Sequence, residues 1–205
     1  MNTPGRHMHG ATLAAMVCAL LLVACGSSPN VEYYRLTPTP ASAIAAPLDI
    51  GLAIGPAQFP RALARNQIVT RSGDNEVNVN QYQVWSGSLE YAFLRVLGDN
   101  VASELQSDRV AVYPAEAAFA VDYRITLEVL QFEGVPGDSV TLRARWAIAP
   151  PAGEAAAVGS FDAVQVIVGG DPGYDALVAA HSALIGKLSA EISEKLRELL
   201  APITP

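Results

Sequence analysis

Cysteine is almost missing from this 205-residue chain: there are two, Cys18 and Cys25, both near the N-terminus. The rest of the sequence therefore has no disulfide to hold a fold and no thiolate pair for zinc. Histidine is nearly as scarce. Of three, His7 and His9 share that N-terminal stretch, which leaves His181 alone and excludes a His-pair metal site. No oxygen-rich loop of the calcium-binding type is present either. Basic residues number 13 against 20 acidic ones. That balance argues against a nucleic-acid partner, which needs a basic footprint. It also argues against an electrostatic grip on anionic lipid headgroups. A long apolar run is lacking too. Ala11–Ala24 is apolar apart from Thr12 but only about 14 residues long, whereas a spanning helix needs roughly 20.

What that run does have is the pattern of a targeting segment. Arg6, the amino terminus, His7 and His9 form a weakly positive start, and Leu22-Val23-Ala24-Cys25 reads as a bacterial lipobox. Small Ala24 suits a signal peptidase, and cleavage after it would leave Cys25 first. Its thiol would carry a diacylglycerol and its freed amine a third acyl chain of the palmitate type. Each buried CH₂ contributes about 0.8 kcal/mol, so one chain anchors marginally and two or three anchor firmly. A plain secretory signal with an incidental cysteine is the alternative, but such signals end in an A-x-A-like site. The expected organisation is a signal peptide over 1–24, then the lipidated cysteine, tether and first strand over 25–47. A single domain over 48–205, joined by the strand 31–36, completes it. Processing leaves about 180 residues, and loss of Arg6 takes the net charge from −7 to about −8. That is enough chain for one domain with its own core.

Gly26–Asn30 is a polar tether, and Val31–Leu36 a first strand. Thr37–Pro47 is a Pro/Ala/Thr-rich loop. Leu48–Gly55 predicts a buried strand that Pro56 ends, and Pro60–Arg65 a single helical turn. Gln67–Arg71 and Glu76–Asn80 predict a hairpin around Ser72-Gly73-Asp74-Asn75. Trp85, Leu89, Phe93, Val96, Val101 and Leu105 place a helix over about 84–107. A short strand over 109–114 follows. Val121–Phe132, Ser139–Ala149 and Ala157–Val168 are long strands. In the first two, charged or polar residues alternate with Tyr123, Ile125, Leu127, Leu142, Trp146 and Ile148, as in half-buried antiparallel strands. The last helix follows Asp171 as cap and Pro172 in its first turn, and Pro202 ends it. The fold class is α/β of the α+β type: a two-layer sandwich with a mainly antiparallel sheet and both amphipathic helices on one face.

Little in this layout carries chemistry, and no enzyme is expected. Gly137-Asp138-Ser139 is similar to a block of some esterases, but a hydrolase needs a base beside that serine. His181 sits on the apolar stripe of the last helix, with Asp175 about two turns earlier, and this spacing fits no triad. Gly169-Gly170-Asp171-Pro172-Gly173 precedes a helix but lacks the Lys-Ser/Thr of a phosphate loop. No cofactor or metal is expected beyond the acyl groups on Cys25.

Several segments, in order, resemble the auxiliary lipoprotein component of ABC-type transport systems, a family that includes paraquat-inducible protein C. They are Tyr33-Tyr34-Arg35-Leu36, Ile54-Gly55-Pro56, Arg65-Asn66-Gln67-Ile68-Val69-Thr70-Arg71, and Trp85-Ser86-Gly87-Ser88-Leu89 with Phe93, Arg95 and Leu97. Asn66 stands where a proline is usual, and Gly87 and Ser88 where an acidic residue and a proline are common. The resemblance implies a non-catalytic partner of a mammalian-cell-entry (MCE) domain protein in a lipid-transport assembly. It further implies a homo-oligomer at the outer-membrane end. Gly26 fits that place, because the inner-membrane retention signal is an aspartate there. Arg71, Trp85 and Leu89 are the family-matched domain residues. Trp85 and Leu89 read as core, and Arg71 could pair with Glu76 across the hairpin. A stand-alone envelope lipoprotein and a periplasmic hydrolase are the competing functions.

Overall fold

The computed structural model describes residues 30–39, 46–73 and 75–201, and Val31 onward forms one compact unit. Pro202 lies outside the described residues. Among them the order is β1 (Glu32–Tyr34), β2 (Leu52–Gln58), β3 (Gln67–Arg71), β4 (Val77–Trp85), α1 (Leu89–Leu105), β5 (Val110–Val112), β6 (Tyr123–Val135), β7 (Ser139–Ala149), β8 (Ala157–Val166) and α2 (Tyr174–Leu200). Single 3-10 turns occupy Arg61–Leu63 and Val168–Gly170. This is an α+β fold built on one eight-stranded sheet.

β6 is the spine of the sheet. Along one edge it pairs antiparallel with β7, from Arg124–Ala149 to Val135–Ser139, and β7 pairs antiparallel with β8. The other edge is divided. Its first half lies parallel to β2, which carries β5 beyond it, while Gly134 near its end meets Thr70 of β3. From β3 the sheet continues antiparallel to β4 and parallel to β1. The sheet is therefore mixed: its two long ladders are the antiparallel ones that the alternation predicts, and its parallel pairings are short.

Alternation along β6 and β7 sends Ile125, Leu127, Leu142, Trp146 and Ile148 into the core. α1 packs over β2 and β5, α2 over β6, β7 and β8, and the helices pack on each other. Ser88 caps α1, its Oγ accepting from the Tyr91 N–H at 3.4 Å. Ahead of α2, an Asp171 carboxylate oxygen accepts from the Gly173 N–H at 2.8 Å, so Gly173 is the N-cap and Asp171 closes the turn before it. Leu177, Leu184, Leu188, Ile192 and Leu196 form the buried stripe of α2.

Besides the cap, which is Gly173 and not Asp171, two strand limits are corrected. β4 continues to Trp85, so Val84 and Trp85 end a strand and α1 starts at Leu89. Trp85 is buried from that strand end, its N–H bonded to the Asn66 carbonyl at 2.6 Å. The second correction is that β2 runs through Pro56 to Gln58. The register of β2 against β6 shifts between Ile54 and Ala57, which accommodates a residue with no N–H to give the ladder.

Candidate functional site: a strapped helix pair and an open sheet face

The lipobox residues Leu22, Val23, Ala24 and Cys25 lie outside the described residues. The three domain residues occupy separate places. Leu89 is buried at the start of α1. Trp85 meets the His181 ring edge-on at 5.7 Å. Arg71 ends β3 and pairs with Glu133 of β6 at 3.6 Å, not with Glu76, while its Nε donates to the Gly73 carbonyl at 3.1 Å. The neighbouring spine strand, which the hairpin reading did not place, supplies that carboxylate. Trp85 and Leu89 thus join one core and Arg71 stands apart, so these three do not converge on a site.

His181 belongs to an aromatic chain running Trp85, His181, Phe132, Phe93 and Phe59, with successive ring centres 4.7–5.7 Å apart and edge-on. Its Nδ1 lies 2.8 Å from the Leu177 carbonyl and so carries the proton; Nε2 has no partner of hydrogen-bonding geometry. Burial pushes its pKa down to about 4, against smaller opposing effects of the Leu177 and Phe132 backbone. Ser139 turns its hydroxyl to the adjacent Asp138 at 2.7 Å. The imidazole is wholly enclosed by core rings, and the serine is held in an exposed turn contact. Among the described residues there is no group of three His, Cys, Asp or Glu side chains that could hold a metal ion.

The segment after β1 is laid over the helix pair as a strap. Leu36 is buried, the Thr37 N–H donates to Ser182 Oγ at 3.2 Å, and the Thr39 N–H donates to Asn100 Oδ1 at 2.9 Å. Arg197 of α2 also donates to the Ala46 carbonyl at 2.7 Å and to the Glu104 carbonyl of α1 at 2.9 Å. Burial holds the Glu104 carboxyl above the usual carboxylate range, opposed by Ser193 and Arg197. A Cβ on Gly186 would collide with Thr39 Oγ1, so glycine is what lets the strap sit this close to α2. Sequence reading missed these contacts; a glycine inside an otherwise strong helix was their one visible signal.

Among the described residues, the other face of the sheet carries no helix. Pro56, Gln58, Thr126, Glu128, Arg145 and Val158 line an open groove of about 860 Å³ there. Cross-strand charge pairs floor this face: Glu128 with Arg145 at 3.0 Å and Arg143 with Asp162 at 3.2 Å. Between the helices and the sheet, where an apolar groove would have suggested a lipid site, the described side chains form one continuous core. No helix among the described residues is long and apolar enough to cross a membrane.

Strand order and the strapped helix pair define a class: an α+β domain with one eight-stranded sheet and two helices packed on one of its faces. The family model of the ABC-type transport auxiliary lipoprotein component matches residues 34–193, and the chain belongs to that family. Two solved structures share the fold. One, described only as an uncharacterized protein, has a TM-score of 0.66 at 20% identity over 82% of this chain and 99% of its own. The other is a Xanthomonas campestris protein of family DUF330, with a TM-score of 0.68 at 15% identity over 82% of this chain and 96% of its own. No curated protein matches.

Proposed function

We propose that this chain is a lipid-anchored, non-catalytic docking subunit of an ABC-type lipid-transport system. It is held on the periplasmic side of the outer membrane by acyl chains on Cys25 and acts as a homo-oligomer that engages an MCE-domain protein. The observation that carries this reading is the family match, which spans nearly all of the described domain. The lipobox supports the anchor, since two or three acyl chains hold a protein durably. Gly26, in place of an aspartate, supports the outer membrane. The separation of His181 from Ser139 supports a role without catalysis.

The test is affinity purification of the C-terminally tagged protein from its host in mild detergent, with mass spectrometry of what accompanies it. An MCE-domain protein absent from the untagged control is the expected result. Recovery of the lipoprotein alone, with crosslinking also silent, would replace the reading by a stand-alone envelope role. Cys25→Ser is expected to move the protein out of the outer-membrane fraction and to weaken the envelope. Unchanged fractionation would remove the anchor from the proposal.

A further inference from the structure

The two sides of β1 differ. The strand lies parallel to β4, with Glu32 against Gln83, Tyr33 against Val84 and Tyr34 against Trp85. Paired residues share a face of a sheet, and neighbours along a strand alternate. Trp85 is buried and Tyr34 packs on Tyr174 with ring centres 5.9 Å apart, so these two turn toward the helices. Glu32 has the parity of Tyr34, whose hydroxyl donates to it at 2.6 Å. Tyr33 turns the other way and is 71% exposed. One step before the pairing of Glu32 with Gln83, the same register sets Val31 beside Tyr82, and both are exposed. Val79 and Val77 extend the exposed apolar surface along β4. No residue from Val77 to Trp85 carries a charge, in a chain whose net charge is −7.

We propose that this end of the sheet, with Val31, Tyr33, Val79 and Tyr82, rests in the headgroup layer of the membrane that holds the anchor. Three features select a lipid surface as the occupant. The first is reach: Val31 is six residues after Cys25, and at no more than about 3.6 Å per residue the two are within about 22 Å of each other. The second is charge. Glu32 is turned to the other side, so no carboxylate of β1 or β4 meets anionic headgroups there. The third is side-chain type. A tyrosine has an apolar ring and a hydroxyl that stays wet, which suits the boundary between acyl chains and water. The contact is apolar and aromatic, in keeping with a chain that has no basic surplus. It also orients the domain. β8 lies five strand steps from β1, and a twist of roughly 20–25° per step points the sides carrying Tyr33 and Val158 about 100° or more apart. The groove beside Val158 is then directed away from the lipid. This inference rests on the acyl anchor of the proposed function, and not on the MCE-domain partner.

The test uses the full acylated protein in vesicles of phosphatidylethanolamine and phosphatidylglycerol, doped with spin-labelled lipid. A fluorophore is attached through Val31→Cys, Val79→Cys or Val158→Cys, and mass spectrometry reads the acyl chains on Cys25. Labels at residues 31 and 79 should be quenched at least about twofold more than one at residue 158. High salt should leave that ratio unchanged, because the contact is not ionic. Tyr33→Ser/Tyr82→Ser in the Val31→Cys protein should lower its quenching by about half or more while flotation with the vesicles persists, and Tyr33→Phe/Tyr82→Phe should retain it. Equal quenching at the three positions in acylated, floating protein overturns the proposal and leaves the anchor standing. Quenching at residues 31 and 79 in protein without acyl chains sustains the surface and removes the anchor. Protein that neither floats nor quenches removes both. Labels at residues 31 and 79 that stay unquenched by lipid but become shielded as protein concentration rises also overturn the proposal, and assign the patch to a second copy of the chain.

Discussion

On the covered face of the sheet, Ile125, Leu142 and Ile148 have no solvent exposure; one residue away on the same strands, the open face carries Arg124, Arg143 and Ala147. The backbone is common to both faces, and the difference is parity alone. Stability is therefore lodged in one set of side chains, while the other set meets solvent. Substitutions should separate the two: large losses of folding energy on the covered side, small ones on the open side. The sharpest case is Phe132, packed between Phe93 at 5.3 Å and His181 at 4.7 Å. Phe132→Ala should cost about 3–5 kcal/mol of unfolding free energy in a denaturant titration. A cost under about 1 kcal/mol would mean that this face is not the core.

His181 gives the covered face a pH signature. Burial holds its folded pKa at about 4, below the 6.5 of an exposed imidazole. Above pH 6.5 it is neutral whether the chain is folded or not and contributes nothing. As pH falls from 6.5 toward 4 the unfolded chain takes up a proton that the folded one refuses, so stability is lost through that window and the loss is complete below it. The expected loss is about 3 kcal/mol. His181→Leu keeps an apolar occupant and should flatten this slope. The comparison isolates His181 because Glu104, whose raised pKa acts with the opposite sign, is common to both proteins. An unchanged slope would show that the imidazole accepts its proton inside the fold.

How much of this contrast is legible from residues alone varies by element. The spine ladder is legible: alternation in β6 and β7 separates Ile125, Leu127, Leu142 and Trp146 from Arg124, Glu128, Arg143 and Arg145, and the β3 and β7 limits coincide with the sequence pattern. Trp85 is not. Its spacing to Leu89 and Phe93 continues a helical stripe, and nothing local shows that β4 extends to meet it through the Asn66 carbonyl. Pro56 misleads for a similar reason, since the register shift that accommodates it is a property of the pair with β6. The division of one β6 edge between β2 and β3 depends on contacts far apart in the chain, which local patterns do not encode. The lipobox is legible as a motif, while the surfaces of the domain have no such signature.

The strap sharpens the comparison on the helix side. Gly186→Val would drive a side chain into Thr39, whose Oγ1 already occupies the space that the first side-chain carbon would need. The expected cost is about 1–3 kcal/mol, with faster amide exchange at Thr37 and Thr39 and no change at Arg143 or Arg145. Loss of the sheet signal together with the strap would show that strap and core unfold as one.

The open face should yield least. Glu128 and Arg145 are opposed across β6 and β7 and their charged atoms meet at 3.0 Å, yet both remain in contact with solvent. Coulomb attraction in a high dielectric is offset by the entropy of holding two long side chains, so a double-mutant cycle through Glu128→Gln and Arg145→Gln should give about 0.2–1 kcal/mol. Salt should reduce even that, because exposed charges are screened. A coupling above about 2 kcal/mol would erase the distinction between the faces, since an energy of that size requires a desolvated pair and therefore a covering partner. The cycle is most informative when measured with and without any protein that co-purifies with the chain: an increase in its presence would place that partner over the groove beside Thr126 and Val158.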